Sequence, residues 1–130
     1  MGYNVLIVDD SMIIRSMVAK TLQISGLELE ELSYAANGQE GLDLLLAKTV
    51  DIVFADINMP VMDGVQMVTA MAQRGILQRI PVVIISTERN RQRIDHLKAL
   101  GVTAYLKKPF MPEDFKATVE HLLSDGETKP

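Results

Sequence analysis

The chain has 130 residues, 48% of them hydrophobic, with 13 basic against 17 acidic side chains and a formal net charge of −4. That size and apolar content fit one packed domain and exclude a largely disordered chain, while the mildly acidic balance argues against direct nucleic-acid binding, which needs a basic surplus. The absence of cysteine excludes disulfides, thiolate metal sites and a thiol nucleophile; no apolar run nears the ~20 residues that span a bilayer and no signal-peptide pattern opens the chain, so a cytoplasmic protein without membrane insertion is expected.

Asn4-Val5-Leu6-Ile7-Val8 is a continuous apolar run, the pattern of a strand buried on both faces. It stops at Asp9-Asp10-Ser11, where Ser11 can cap the following helix. Ile14, Met17, Val18, Thr21 and Leu22 recur at helical spacing, and Gly26 suits a helix stop. Leu29 to Ala35 reads as a second strand; Glu28, Glu30 and Glu31 make it polar, which an edge position tolerates. Asn37-Gly38 marks a turn. Leu42, Leu45 and Leu46 then mark a second helix, ending near Lys48.

Ile52-Val53-Phe54-Ala55 is a third strand, cut off at Asp56. Asp63-Gly64 reads as a turn that opens a third helix, with Val65, Val68, Met71 and Ala72 on one face and Met67 and Met71 as core filler. Pro81 to Ile85 is a fourth strand, ending at Ser86-Thr87-Glu88. A fourth helix runs from about Asn90 to Leu100 and stops at Gly101. Ala104 to Lys107 is a short fifth strand, ending at Lys108-Pro109. Pro112 suits the first turn of a last helix, with Glu113 and Asp114 favourable to its dipole. Phe115, Val119, Leu122 and Leu123 form its buried stripe, giving a domain over residues 1–123 and a frayed tail over 124–130. Strand and helix alternate throughout, which implies an α/β fold: a parallel sheet with helices on both faces.

Four of the five expected strands end in a residue with chemical potential: Asp9 and Asp10, then Asp56, Ser86 and Lys108. Ligands of open α/β sheets bind outside the carboxyl ends of the strands. Three carboxylates brought together there cannot all ionise cheaply without a cation. An oxygen-rich acidic pocket suits Mg2+, and beside it Asp56 can attack phosphorus to form an acyl phosphate. Lys108 supplies positive charge to a phosphoryl oxygen and Ser86 a hydrogen bond.

The ordered set of motifs resembles the receiver domains of two-component response regulators, over about Asn4 to Leu123. The motifs are Asp9-Asp10 with Ser11; Asp56-Ile57-Asn58-Met59-Pro60 with Met62-Asp63-Gly64; Pro81 to Ser86, with Ser86 thirty residues after Asp56; and Tyr105 with Lys108-Pro109-Phe110. The resemblance implies a flavodoxin-like (βα)5 three-layer sandwich with strand order 2-1-3-4-5, whose reversal lies between the strands that deliver Asp9, Asp10 and Asp56. It implies that Asp56 is the phospho-acceptor (as 4-aspartylphosphate). Asp10, Asp56 and the backbone carbonyl of Asn58 become direct Mg2+ ligands, and Asp9 a ligand through water. Lys108, not the solvated Lys107, is the lysine of the site, aimed by a cis Lys108-Pro109 peptide. Ser86 and Tyr105 become a switch pair. Asn58 and Glu88 tune dephosphorylation; neither blocks water by bulk, so the phosphorylated form should not persist for hours.

As a stand-alone receiver similar to single-domain chemotaxis-type members, the chain is expected to take its phosphoryl group from a sensor histidine kinase. It would then switch the binding of a downstream effector or phosphotransfer protein through the face of the fourth helix, fifth strand and last helix. Arg89, Arg91, Arg93, His96, Lys98 and Lys107 make that region basic, which suits an acidic partner or a merely solvated surface. Beyond self-catalysed acceptance and slow loss of the phosphoryl group, no enzymatic activity is expected. The main alternative is a small Mg2+-dependent phosphohydrolase of haloacid dehalogenase type. That chemistry wants a second Asp two residues after the nucleophile to protonate the leaving group, and Asn58 stands there. A nucleotide-binding module lacks its glycine-rich loop, and a purely constitutive scaffold would not need the acidic set.

Overall fold

The computed structural model of the protein describes residues 2–108 and 112–128, with backbone alone for 112 and 123–128. Five strands, β1 (Tyr3–Val8), β2 (Leu29–Ala35), β3 (Ile52–Ala55), β4 (Val82–Ser86) and β5 (Ala104–Lys107), alternate with five helices. These are α1 (Met12–Ile24), α2 (Gly38–Ala47), α3 (Gly64–Gln73), α4 (Arg91–Leu100) and α5 (Pro112–Thr128). The strands form one sheet in the order β2-β1-β3-β4-β5, and each pairing is parallel. The order and the three layers are those the motifs imply.

The uninterrupted apolar strands divide their side chains by parity, because successive residues point to opposite faces. Leu6, Val8, Val53, Ala55, Val82 and Ile84 meet Leu42, Leu45, Met67, Val68, Met71 and Leu97 of α2, α3 and α4. Val5, Ile7, Ile52, Phe54, Val83 and Ile85 meet Val18, Ala19, Leu22, Phe115 and Val119 of α1 and α5. Met67 and Met71 are fully buried core filler, as expected. β2 lies at the edge: its adjacent Glu30 and Glu31 are exposed, and further on the exposed Tyr34 separates the buried Ser33 and Ala35.

Local chemistry sets the helix ends. Ser11 caps α1 by accepting from the Ile14 N–H, and Gly26 at φ +86° lies just beyond the C-cap Ser25. Asn37 is more than a turn residue: its side chain caps α2 at Glu40, while the Glu40 carboxylate takes the Ala36 N–H. Leu46, one of the three leucines that mark α2 in the sequence, is 57% exposed, one residue past the inward-facing Leu45 and thus about 100° around the helix. α5 runs to Thr128 where a tail was expected from residue 124. Nothing in Ser124-Asp125-Gly126-Glu127 forbids an N–H bond back to the preceding turn, and proline comes only at 130. Leu123 as a core side chain and the cis Lys108-Pro109 peptide lie outside the described residues.

α5 is anchored by Phe115, fully buried with its ring 5.2 Å from that of Phe54 and 25° from coplanar. Phe115→Ala should cost about 3–5 kcal/mol through lost burial and a residual cavity. Urea titration should show a lower midpoint at unchanged slope.

Candidate functional site

The site is built by letting the sheet run one residue past its strands. The Asp9 N–H donates to the Ala35 carbonyl (3.0 Å), the Asp56 N–H to the Val8 carbonyl (3.0 Å) and the Lys108 N–H to the Ser86 carbonyl (2.9 Å). Asp9, Asp56 and Lys108 are thereby fixed in strand-like register at the carboxyl edge. β1 and β3 are neighbours with Val8 paired to Ala55, so the two aspartates that follow stand side by side. Asp10, one residue on, is exposed.

Carboxylate oxygens of Asp9, Asp10 and Asp56 lie within 4.8 Å of one another. Lys108 Nζ reaches Asp9 Oδ2 at 3.2 Å and Asp56 Oδ2 at 3.5 Å. The other oxygen of each carboxylate is held by backbone: Ser11 N–H donates to Asp9 Oδ1 at 2.9 Å and Ile57 N–H to Asp56 Oδ1 at 2.7 Å. Asp9 is almost completely buried at 4% exposure. Burial pushes its carboxyl above the ordinary aspartate range; the Ser11 N–H and Lys108 oppose that rise, and the Asp56 charge adds to it. Three carboxylates against one ammonium leave an uncompensated negative charge in an all-oxygen pocket. A hard divalent cation fits that donor set.

The wall opposite is the loop from Asp56 to α3. It turns through Val61, whose φ of +67° is costly for a β-branched residue, and ends in a capping box between Asp63 and Gln66. Gly64 is demanded by close approach. A Cβ there would sit 2.3 Å from the Asp56 carbonyl oxygen, while its N–H bonds the Ile57 carbonyl at 2.7 Å. Asp63, read in the sequence as part of a turn, is the N-cap of α3.

On the far side, Ser86 is fully buried and its Oγ accepts the Glu88 N–H at 3.1 Å. The Tyr105 hydroxyl donates to the Glu88 carbonyl at 2.8 Å. The half-buried phenol has its pKa raised, chiefly by burial, and remains a donor at neutral pH. One residue, Glu88, thus joins the two members of the expected switch pair through its main chain. Its carboxylate takes the N–H groups of Arg89 and Asn90 ahead of α4. The Asn90 N–H and then the Arg93 charge hold its pKa low against partial desolvation.

Two residues of the site were not singled out by sequence reasoning. Arg15 donates to the Asp9 carbonyl at 2.6 Å. Arg93, grouped with the basic surface in the sequence, folds back onto the rim and contacts Glu88, Asn58 and Asp63. No local motif marks either arginine; only the packing of α1 and α4 brings them there. Lys107 is exposed, as expected, and so are Arg89, Arg91, His96 and Lys98.

The sequence profile of the response regulator receiver domain matches residues 5–120. The chain belongs to the response regulator receiver family. A chemotaxis protein CheY homolog of Campylobacter jejuni is 30% identical over 124 residues, covering 95% of this chain and 94% of that one. The chain spans only 29% of the length of a protein-glutamate methylesterase/protein-glutamine glutaminase of Nocardioides sp., to which it is 36% identical over 110 residues. Among solved structures, the chemotaxis response regulator CheY4 of Vibrio cholerae superposes with a TM-score of 0.81 at 36% identity, covering 94% of this chain and 99% of that one. The CheX-CheY-BeF3-Mg+2 complex of Borrelia burgdorferi gives a TM-score of 0.83 at 25% identity over 93% of this receiver and 89% of that chain. Among the described residues no helix is long and apolar enough to cross a membrane.

Because burial raises the Asp9 pKa, the folded state holds that proton more tightly than the unfolded chain does. Asp9 therefore subtracts stability as pH rises above the ordinary aspartate range. Asp9→Asn should raise the melting temperature of the metal-free protein at pH 7, by about 4 °C for roughly 1 kcal/mol. The gain should shrink as pH is lowered through that range. Calorimetry with chelator present checks both.

Proposed function

We propose that this receiver accepts a phosphoryl group on Asp56 from a histidine kinase, with Mg2+ bound, and thereby switches the binding of a partner protein. The observation that carries this reading is the meeting of three carboxylates within 4.8 Å, two of them bridged by a lysine. Asp9, Asp10, Asp56 and the Asn58 backbone carbonyl would hold the metal, Asp9 through water. Bound there, Mg2+ supplies charge neutralisation between the carboxylates and the incoming phosphoryl oxygens.

Asp56 Oδ2 is the attacking atom, since Oδ1 is fixed by the Ile57 N–H. Its lone pair forms the O–P bond while the P–N bond of the phosphohistidine breaks and the electron pair leaves on the imidazole. Lys108 moves from carboxylate to phosphoryl oxygen with little displacement, because it already lies between Asp9 and Asp56. The Ser86 hydroxyl then donates to another phosphoryl oxygen. The Glu88 N–H is bonded to Ser86 and the Glu88 carbonyl to Tyr105, so that movement is passed to the ring and to the start of α4. Phosphorylation would thus bias two arrangements of the α4-β5-α5 face.

Met12, Ile13 and Met17 are 71%, 76% and 48% exposed on α1, which begins two residues after Asp10. Such an apolar patch suits a docked phosphodonor protein. The Campylobacter and Vibrio relatives described above are chemotaxis proteins, which favours a chemotaxis-type output. The chemistry is confined to self-catalysed acceptance and loss of the phosphoryl group, because Asn58 cannot serve as the acid that turnover of phosphate monoesters requires.

Incubation with a small acyl phosphodonor and Mg2+ should add one phosphoryl mass to the native protein and none to Asp56→Asn. Chelator should abolish the gain. Equal gain in Asp56→Asn, or none in the native protein, refutes the assignment. A pull-down with and without phosphodonor then separates a motility effector from a phosphotransfer protein or a regulated enzyme.

A further inference from the structure

Arg93 joins the two loops that flank Asp56. Its Nη1 lies 2.6 Å from Glu88 Oε1 and 3.2 Å from Asn58 Oδ1, and its Nη2 lies 3.8 Å from Asp63 Oδ2. Asn58 follows Asp56 by two residues, Glu88 follows Ser86 by two, and Asp63 caps α3. One side chain from the first turn of α4 therefore ties the β3–α3 loop to the β4–α4 loop. The pair is not a free surface contact: the Glu88 side chain is 16% exposed and that of Arg93 35%, and the guanidinium is shared among three oxygen-bearing groups.

We infer that Arg93 is a positioning residue, a latch across the rim that lengthens the life of the phosphorylated state by holding Glu88 and Asn58 away from attacking water. The inference rests on Asp56 being the phospho-acceptor. Loss of the phosphoryl group forms a bond from water oxygen to phosphorus and breaks the Asp56 O–P bond. The carboxylate is regenerated and both water protons leave with inorganic phosphate. A carboxylate and an amide beside that path can accept a hydrogen bond from the incoming water and orient it. Asn58 lies two residues past Asp56 and Glu88 is bonded through its N–H to Ser86, and both side chains are engaged by the same guanidinium. The latch also restrains the loop carrying Ser86 and Glu88, through which the signal is passed to Tyr105. It thus couples the lifetime of the modification to the position of α4.

The test uses the full chain, phosphorylated with an acyl phosphodonor and Mg2+, then freed of donor, with decay followed by intact mass. Arg93→Met should lose the phosphoryl group about threefold to tenfold faster, the size of coupling found between contacting charged groups. Arg93→Lys, which keeps the charge without the fork, should fall between. In a Glu88→Gln background the effect of Arg93→Met should be mostly lost, because the latch acts through that carboxylate. Unchanged or slower decay in Arg93→Met, or full acceleration in the Glu88→Gln background, overturns the lifetime role. Amide hydrogen exchange over residues 87–93 of the unmodified protein tests the latch without any phosphoryl group. Faster exchange in Arg93→Met supports the latch and unchanged exchange refutes it. A native protein that gains no phosphoryl mass refutes the acceptor reading and the lifetime role together, while the exchange result still decides whether Arg93 holds the rim.

Discussion

The ammonium of Lys108 stands between two carboxylates that would otherwise repel one another at the edge of the sheet. The rest of the site depends on that placement. β1 and β3 must be neighbours for Asp9 and Asp56 to meet, and β5 must end in register for the lysine to reach them. The sheet meets these conditions by extending its backbone hydrogen bonds one residue past the strands. Asp9, Asp56 and Lys108 are thereby held by backbone hydrogen bonds at the ends of the sheet's strands. The remaining negative charge, concentrated where Asp9 is nearly buried, makes the metal-free state electrostatically strained. That charge suits a hard cation held by oxygen donors.

Glu88 ties the buried Ser86 to the half-buried Tyr105 and to the start of α4. Its N–H holds Ser86, its carbonyl holds Tyr105, and its carboxylate gathers the N–H groups ahead of α4 together with Arg93. A displacement of Ser86 by a fraction of a hydrogen-bond length cannot leave the other bonds unchanged. Small shifts in such a network become discrete changes, because packed interiors favour alternative arrangements over continuous deformation. The half-buried Tyr105 closes that chain of bonds on β5.

Much of this was legible before any coordinates. β1, β3 and β4 are apolar on both faces and the helices amphipathic, so periodicity separates them and their alternation implies a parallel sheet. Ser11, Asp63 and Gly101 behave as local chemistry predicts, because capping depends on the nearest few residues. Asn37 was read as a turn residue because Asn-Gly suits either role, and the Glu40 that completes its cap was passed over. Leu46 looks equivalent to Leu45 in sequence but faces solvent, since a single step around a helix decides burial. α5 continues to Thr128 because helix propagation needs no further apolar contact. Arg93 was placed on the output surface for want of any sign that its long side chain turns back.

The sequence by itself determined the alternating architecture and the inventory of reactive groups at the strand ends. Both are written in residue type and short-range spacing. Strand order, and with it the meeting of Asp9, Asp10, Asp56 and Lys108, came from likeness to a family and not from the residues' own periodicity; the tertiary structure decided it. The fold alone also decided the partners of Arg15, Arg93 and Glu88 and the exclusion of any side chain at Gly64. These depend on approaches between segments tens of residues apart, to which local propensity is blind. Only the packed sheet and the helices laid against it bring such segments within hydrogen-bonding distance.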